Sequence, residues 1–382
     1  MSHVYGPWSS SLGGEGSPEL STFWKRRMGR LPETLAARGD VSRREWLQLA
    51  AAGAAACALP TLRRASAQAA EPRPAGPGTI YLNANFSTGS RYDEALDGLW
   101  AVDPSTGDRK RIPNPITGAW VRGSRDRKTL ALIRAGRTGP NQDVPNVGVW
   151  TLDLDAGGPP RRVADFGGVT SWSPDGRQLI VVKWFNPAEP DPAHHETWRF
   201  DLDGSKPVRL PIPETDEVND WSSDGRWLVT VSDRHPPIGS GYQLYLMRPD
   251  GSEQRRLTEG GGLNVYPRFS PDGRRIAYLH QDRGKNDIRV LDVEGGPQQI
   301  VVEETKEDPD VLLTPGKVVW SPDGKLLACA LRAMSVDVEG KPSRLIHGEH
   351  TLDRVILIDV ETRRSRRLNI PGVSWINGLD WS

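Results

Sequence analysis

Cysteine is nearly absent from this 382-residue chain, which has only Cys57 and Cys329. Cys57 lies in an N-terminal segment unlike the rest, so the chain beyond it has no second thiol for an internal disulfide. Cys329, inside the apolar run Leu326-Leu-Ala-Cys-Ala330, reads as a buried small hydrophobe. An excess of one charge is missing too, since 49 Lys plus Arg stand against 49 Asp plus Glu. A neutral chain projects no net field to recruit nucleic acid. No strongly apolar run stands out either. The mild stretch Leu47 to Leu62, rich in Ala and Gly, is too short and too weakly apolar to cross a bilayer. Tryptophan, by contrast, is abundant at 14 residues, and most of these fall at recurring positions.

The recurrence is a motif of an aromatic residue, Ser, Pro or Ser, Asp-Gly and a basic residue. Its copies are Trp172-Ser-Pro-Asp-Gly-Arg177, Trp221-Ser-Ser-Asp-Gly-Arg226, Phe269-Ser-Pro-Asp-Gly-Arg274 and Trp320-Ser-Pro-Asp-Gly-Lys325. An eroded copy, Ser124-Arg-Asp126-Arg-Lys128, lies one period upstream, and Asp380-Trp-Ser382 begins another. A fixed period of about 50 residues marks a repeat architecture. Each repeat reads as four short strands. Strand A ends in the aromatic and Ser. Asp175-Gly176, Asp224-Gly225, Asp272-Gly273 and Asp323-Gly324 form tight two-residue turns, because Gly accepts φ > 0 and Asp tolerates it. Strand B is an apolar run such as Leu179-Ile-Val-Val182. Strand C ends in an acidic turn, as in Val149-Trp-Thr-Leu-Asp153. Strand D is short and basic, as in Arg161-Arg-Val163, which protects an outer edge against pairing.

Residues 79–113 supply strands B, C and D without an A, and 376–382 supply an A alone. Joined, they complete one blade. The expected fold is therefore all-β: a six-bladed β-propeller of four-stranded antiparallel blades, the first closed by the C-terminal strand. The tryptophans are expected to pack between blades.

The repeated aromatic-Ser-Pro-Asp-Gly-basic motif resembles that of the TolB-type propellers, relatives of the WD repeats, over residues 79–382. The resemblance implies the propeller fold. It leaves activity open, because similar blades occur in TolB, in prolyl-oligopeptidase-type enzymes and in some polysaccharide lyases. Two departures matter. TolB carries an α/β domain before its propeller, for which this chain has no room. The peptidases carry Gly-x-Ser-x-Gly at their nucleophile, and that pentapeptide does not occur here.

Residues 1–69 read as a disordered, partly basic n-region followed by a twin-arginine-type signal peptide. Arg43-Arg44 precede Trp46 and Leu47, the mild apolar stretch follows, and Ala65-Ser-Ala67 or Ala67-Gln-Ala69 suits signal peptidase. Residues 70–78 form a Pro-rich linker. The expected location is the bacterial periplasm or the exterior, with the membrane met only during export.

In such blades the A–B and C–D turns share one face. The B–C and D–A connections share the other, and residues 184–196, 232–243, 302–316 and 332–353 read as its long loops. Irregular loops on a rigid scaffold are the usual seat of function. The histidines beyond the signal concentrate there, and His235, His280, His347 and His350 are the candidate ligands should a metal sit above the axis. No catalytic residue and no cofactor are assigned. The reading is an exported, monomeric, non-enzymatic scaffold that binds a protein or carbohydrate at the loop face. Two alternatives stay open: a metal-dependent lyase or hydrolase of a sugar polymer or lactone with its site in the funnel, and a TolB-like component of an envelope complex.

Overall fold

The computed structural model describes residues 78–85, 97–114, 116, 120–134, 147–184, 195–234, 241–308, 311–336, 342–345, 354–373 and 375–382. Blade 1 begins with β1 (Ile80–Asn85), β2 (Asp97–Val102) and β3 (Arg109–Ile112). Blade 2 is β4 (Trp120–Gly123), β5 (Thr129–Arg134), β6 (Gly148–Asp153) and β7 (Arg161–Ala164). Blade 3 is β8 (Thr170–Trp172), β9 (Gln178–Trp184), β10 (His195–Asp201) and β11 (Val208–Arg209). Blade 4 is β12 (Asp216–Trp221), β13 (Leu228–Ser232), β14 (Gln243–Met247) and β15 (Arg255–Arg256). Blade 5 is β16 (Leu263–Phe269), β17 (Arg275–Asp282), β18 (Lys285–Asp292) and β19 (Gln299–Glu303). Blade 6 holds β20 (Thr305–Asp308), β21 (Val311–Trp320), β22 (Leu326–Val336), β23 (Pro342–Leu345), β24 (Arg354–Asp359) and β25 (Ser365–Leu368). The last strand, β26 (Trp375–Trp381), returns to blade 1 and pairs antiparallel with β1, giving the order β26-β1-β2-β3. The protein is thus a six-bladed propeller whose first blade is closed from the far end of the chain. Among the described residues there is no helix, and so none long and apolar enough to cross a membrane.

The second strand of each blade is apolar on both faces because both faces are covered by neighbouring blades. Leu130 to Ile133, Leu179 to Val182 and Leu228 to Val231 are buried throughout. The outermost strands are short and basic in every blade but blade 5, whose β19 reads Gln-Ile-Val-Val-Glu, and β3 and β11 are largely exposed. The motif tryptophans Trp172, Trp221, Trp320 and Trp381 are buried between blades, as the repeat implied. Cys329 is fully buried, and burial pushes its thiol up to about 12.

Blade 6 departs from expectation. The stretches 302–316 and 332–353, read as long loops, carry β20, part of β21, the end of β22 and β23, and β20 pairs with β21 as β23 pairs with β22. The cause is legible in Thr305-Lys-Glu-Asp308. A strand at the end of a sheet needs backbone partners but no apolar face, so its sequence lacks the alternation that announces a strand.

The Asp-Gly turns are also larger than two residues. In each, Ser and the residue five places on pair through their backbones, Ser173 N–H to Gln178 O at 2.9 Å for example, which leaves four residues in the loop. The Ser hydroxyl donates to the Asp carboxylate at 2.5–2.7 Å in all five turns, from Ser124 to Asp126 through Ser321 to Asp323. The same carboxylate accepts the backbone N–H of the basic residue at 3.0–3.1 Å. The Ser oxygen in turn accepts the N–H of the residue five places on, at the start of strand B or just before it, at 2.9–3.0 Å. The motif is therefore a hydrogen-bonded staple, and Gly is needed only because its φ is 69–75°.

These bonds favour the charged carboxylate. Ser173 and the backbone of Arg177 hold Asp175 below the usual range. Asp224, against the opposing effect of its partial burial, is brought to about 2 by Ser222 and Arg226. Asp126 and Asp272 are lowered as well. A carboxyl depressed in the fold adds stability above its unfolded value near 4 and loses it as pH falls through the folded value. Melting temperature should accordingly drop between pH 4 and pH 2. Replacing Asp175, Asp224 and Asp272 with Asn should flatten that drop, and an unchanged pH profile in the triple variant would remove the staple from the acid response.

Candidate functional site

The six innermost strands, β26, β4, β8, β12, β16 and β21, surround the propeller axis. One residue before the aromatic position, they contribute in blade order Asp380, Arg122, Ser171, Asp220, Arg268 and Val319. Two carboxylates and two guanidiniums thus meet in one ring, in the order acid, base, neutral, repeated after three blades. The bonding repeats too. Asp380 accepts the Gly123 N–H at 2.6 Å and Asp220 accepts the Phe269 N–H at 2.9 Å, each from the following blade. Trp172 Nε1 donates to Arg122 O at 3.1 Å, and Trp320 Nε1 to Arg268 O at 3.0 Å, each into the preceding blade. Ser171 Oγ donates to Asp220 at 3.0 Å.

β-Bulges supply the remaining partners. The pairing register shifts at Val218/Asp220 in β12, at Val265/Arg268 in β16, at Pro315/Val318 in β21 and opposite Asn83/Ala84 in β26. A bulge frees backbone groups from the ladder. Asn219 O accepts Arg122 Nη2 at 2.9 Å and Arg268 Nη1 at 3.4 Å, and Asn377 O accepts Lys317 Nζ at 2.6 Å. Lys317 also lies 4.2 Å from the centroid of the Trp120 ring. Burial lowers it well below the ordinary lysine value, with Arg332 and Arg122 adding to the effect. Together with Tyr266 these side chains narrow the axis to a void of about 30 Å³, room for about two waters.

Toward the A–B turns the axis widens into a funnel of about 330 Å³. Arg122, Arg125, Arg127 and Arg268 supply its positive charge, Asp220 and Asp380 its negative charge, and Trp172, Phe269, Trp320 and Trp381 its aromatic walls. Burial raises Asp380 to about 6, against the opposing pull of Arg122 and the Gly123 N–H. A carboxyl raised in the fold favours folding below its unfolded pKa near 4 and withdraws that contribution as pH rises to about 6. The funnel can therefore hold both donors and acceptors against a ligand, with one carboxyl that changes charge in the mildly acid range.

The sequence expectation looked to the opposite face. There His280 is buried in blade 5, its Nδ1 2.8 Å from Asn264 Oδ1, in a network with Gln243 and Thr258. Burial lowers its pKa. His235, His347 and His350 lie outside the described residues, as do Arg43 and Arg44. Among the described residues no group of three or more His, Cys, Asp or Glu is placed to hold a metal. Sequence reasoning missed the funnel because its ring draws one unremarkable residue from each of six blades. One signal was available: the copy at Ser124 writes Arg125 where other copies write Pro or Ser, and Arg127 where they write Gly.

The family profile described as TolB beta propeller domain matches residues 124–320, more than half of the chain. The chain belongs to the TolB β-propeller family. Among proteins similar to this TolB-type propeller is a protein TolB homolog of Chlorobium luteolum, 33% identical over 76 residues, which are 20% of this chain and 16% of that protein. Another is the uncharacterized peptidase YuxL of Bacillus subtilis, 27% identical over 201 residues, 45% of this chain and 30% of that one. The TolB structure from Acinetobacter baumannii superposes with a TM-score of 0.57 at 18% identity, covering 80% of this chain and 66% of its own, a likeness of fold. This TolB-type chain thus spans less than two thirds of each of these relatives.

Proposed function

We propose that the protein is exported and acts in the bacterial cell envelope as a non-enzymatic scaffold that binds a protein partner at the propeller axis. The observation that carries this reading is the funnel on the hairpin face, where donors, acceptors and aromatic edges from all six blades converge on one cavity. Membership of the TolB propeller family supports a place in an envelope complex. A photo-crosslinking amino acid at Pro271, which also lines the funnel, should trap a protein when the full chain is expressed in the native host. Trapping only at positions on the outer strands would sink the axial site.

A competing enzymatic reading has one observation in its favour: a carboxyl held near 6 beside Arg122 is placed as a general acid would be. If the funnel catalyses hydrolysis or elimination on a sugar polymer or lactone, Asp380→Asn should abolish turnover while leaving ligand binding within a few-fold.

Export through the folded-protein route rests on Arg43-Arg44 ahead of a mild apolar stretch. Replacing both with Lys should leave the protein in the cytoplasm with its N-terminal segment intact. Fractionation showing normal export of the double variant would overturn this part of the reading.

A further inference from the structure

We infer that the mouth of the funnel is built to capture an acidic peptide segment, with Arg125 and Arg127 as its capturing residues. This rests on the protein-binding reading above and specifies the chemistry of the partner.

The argument starts from a departure within the repeat. In blades 3, 5 and 6 the residue after the staple serine is Pro174, Pro271 or Pro322, and in blade 4 it is Ser223; blade 2 has Arg125. In blades 3 to 6 the residue after the staple aspartate is Gly176, Gly225, Gly273 or Gly324, at φ 69–75°. Blade 2 keeps the same backbone, with φ 63°, but places Arg127 there. A side chain in the left-handed region meets a steric cost that glycine avoids. The staple around it is otherwise intact, with Ser124, Asp126, Lys128 and Thr129 bonded as in the other blades. The turn would therefore form with the ordinary residues, and the two arginines add nothing that the fold of the turn requires.

Both side chains line the funnel. Arg125 Nη2 reaches from blade 2 to Trp221 O in blade 4 at 2.8 Å, so its guanidinium stands at the mouth rather than in bulk solvent. Deeper in, Arg268 Nε is buried and has no hydrogen-bond partner among the described residues. The buried Arg122 draws on Asp220 and Asp380 as its counter-charges, and two carboxylates against four guanidiniums leave the funnel net positive. The cavity keeps a surplus of forked donors, the geometry that pairs with carboxylates. The carbonyls and carboxylates of an extended acidic peptide supply the acceptors that these guanidiniums lack, and only the edges of the buried aromatic rings border the cavity.

The test uses the full chain and three labelled probes: a ten-residue peptide alternating Glu with Ser, its Gln counterpart, and an oligogalacturonate of similar length. Fluorescence anisotropy should show the Glu peptide binding at least tenfold tighter than the Gln peptide, with an affinity that falls as salt rises. Arg125→Pro with Arg127→Gly restores the ordinary turn. That variant should lose at least tenfold in affinity for the Glu peptide while melting no lower than the parent. Lys at both positions should recover part of the binding. Equal binding of the Glu and Gln peptides, no binding of either, or full binding by the Pro/Gly variant would overturn the inference. A protein trapped in vivo at Pro271 alongside such a result would leave the scaffold reading standing. Binding of the oligogalacturonate alone would remove both.

Discussion

Deleting residues 376–382 is expected to abolish the soluble fold. β26 pairs with β1 along six register positions from Ile80–Trp381 to Asn85–Trp375, and Thr79 and Ser382 exchange backbone hydrogen bonds at 2.6 and 3.1 Å. Ile376, Leu379 and Trp381 are buried against β1 and blade 6. Burying three such side chains contributes roughly 5–9 kcal/mol, comparable to the roughly 5–15 kcal/mol net stability of a whole domain. The deletion also bares the inner edge of β1 and opens the seam beside β4, a template for pairing with other chains. Expression should shift to the insoluble fraction, and any soluble remainder should melt far below the parent. A truncated chain that is monomeric and melts with the parent would refute closure by β26.

The second large effect is expected at Asp220. Its two oxygens accept from Ser171 in blade 3 and Phe269 in blade 5, so one carboxylate ties three consecutive blades together at the axis. Arg122, fully desolvated beside it, draws on Asp220 and Asp380 as its counter-charges. Asp220→Ala leaves two donors without a partner and removes one of those counter-charges. Loss of charged hydrogen bonds of this kind costs about 3 kcal/mol, or roughly 6 °C in melting temperature for a domain of this size. Asp220→Asn keeps one acceptor but turns an amide N–H toward a donor, and should cost about half as much. Asp165→Ala, at a turn away from the ring, serves as the control. An Asp220→Ala variant that melts within a degree of the parent would show that the ring charges are not coupled to blade association.

The fold was legible because its signals are local and repeated. A Ser, an Asp and a Gly within four residues write each staple, and the split first blade follows from counting strands at the two ends. Blade 6 hid two strands because Thr305-Lys-Glu-Asp308 has the composition of a solvated loop, and edge pairing overrides composition. The site was less legible for a geometric reason. Arg122, Ser171, Asp220, Arg268 and Val319 lie 48–51 residues apart and Asp380 a further 61, and only closure of the ring makes them neighbours. The histidines of the loop face are a poor guide to a site, because polarity is the ordinary state of a residue there. His280, the candidate that lies among the described residues, is bonded inside its own blade. The trace of the funnel that did reach the sequence was an irregularity: the copy at Ser124 looked eroded, and its two arginines are what set the funnel apart from a plain hairpin face.

Closure of blade 1 also has a temporal side. Some 290 residues separate β1 from the strand that covers its inner edge. At about 5–20 residues per second of synthesis, that edge waits roughly 15–60 seconds for its partner. Blades 2 to 6 need only neighbours in sequence and can assemble during that interval, whereas the first blade made is the last to be finished. For as long as it waits, β1 offers an unpaired backbone ladder beside a half-built ring, and the nascent chain is most open to chaperones, or to another copy of itself, at the place where the mature protein is sealed.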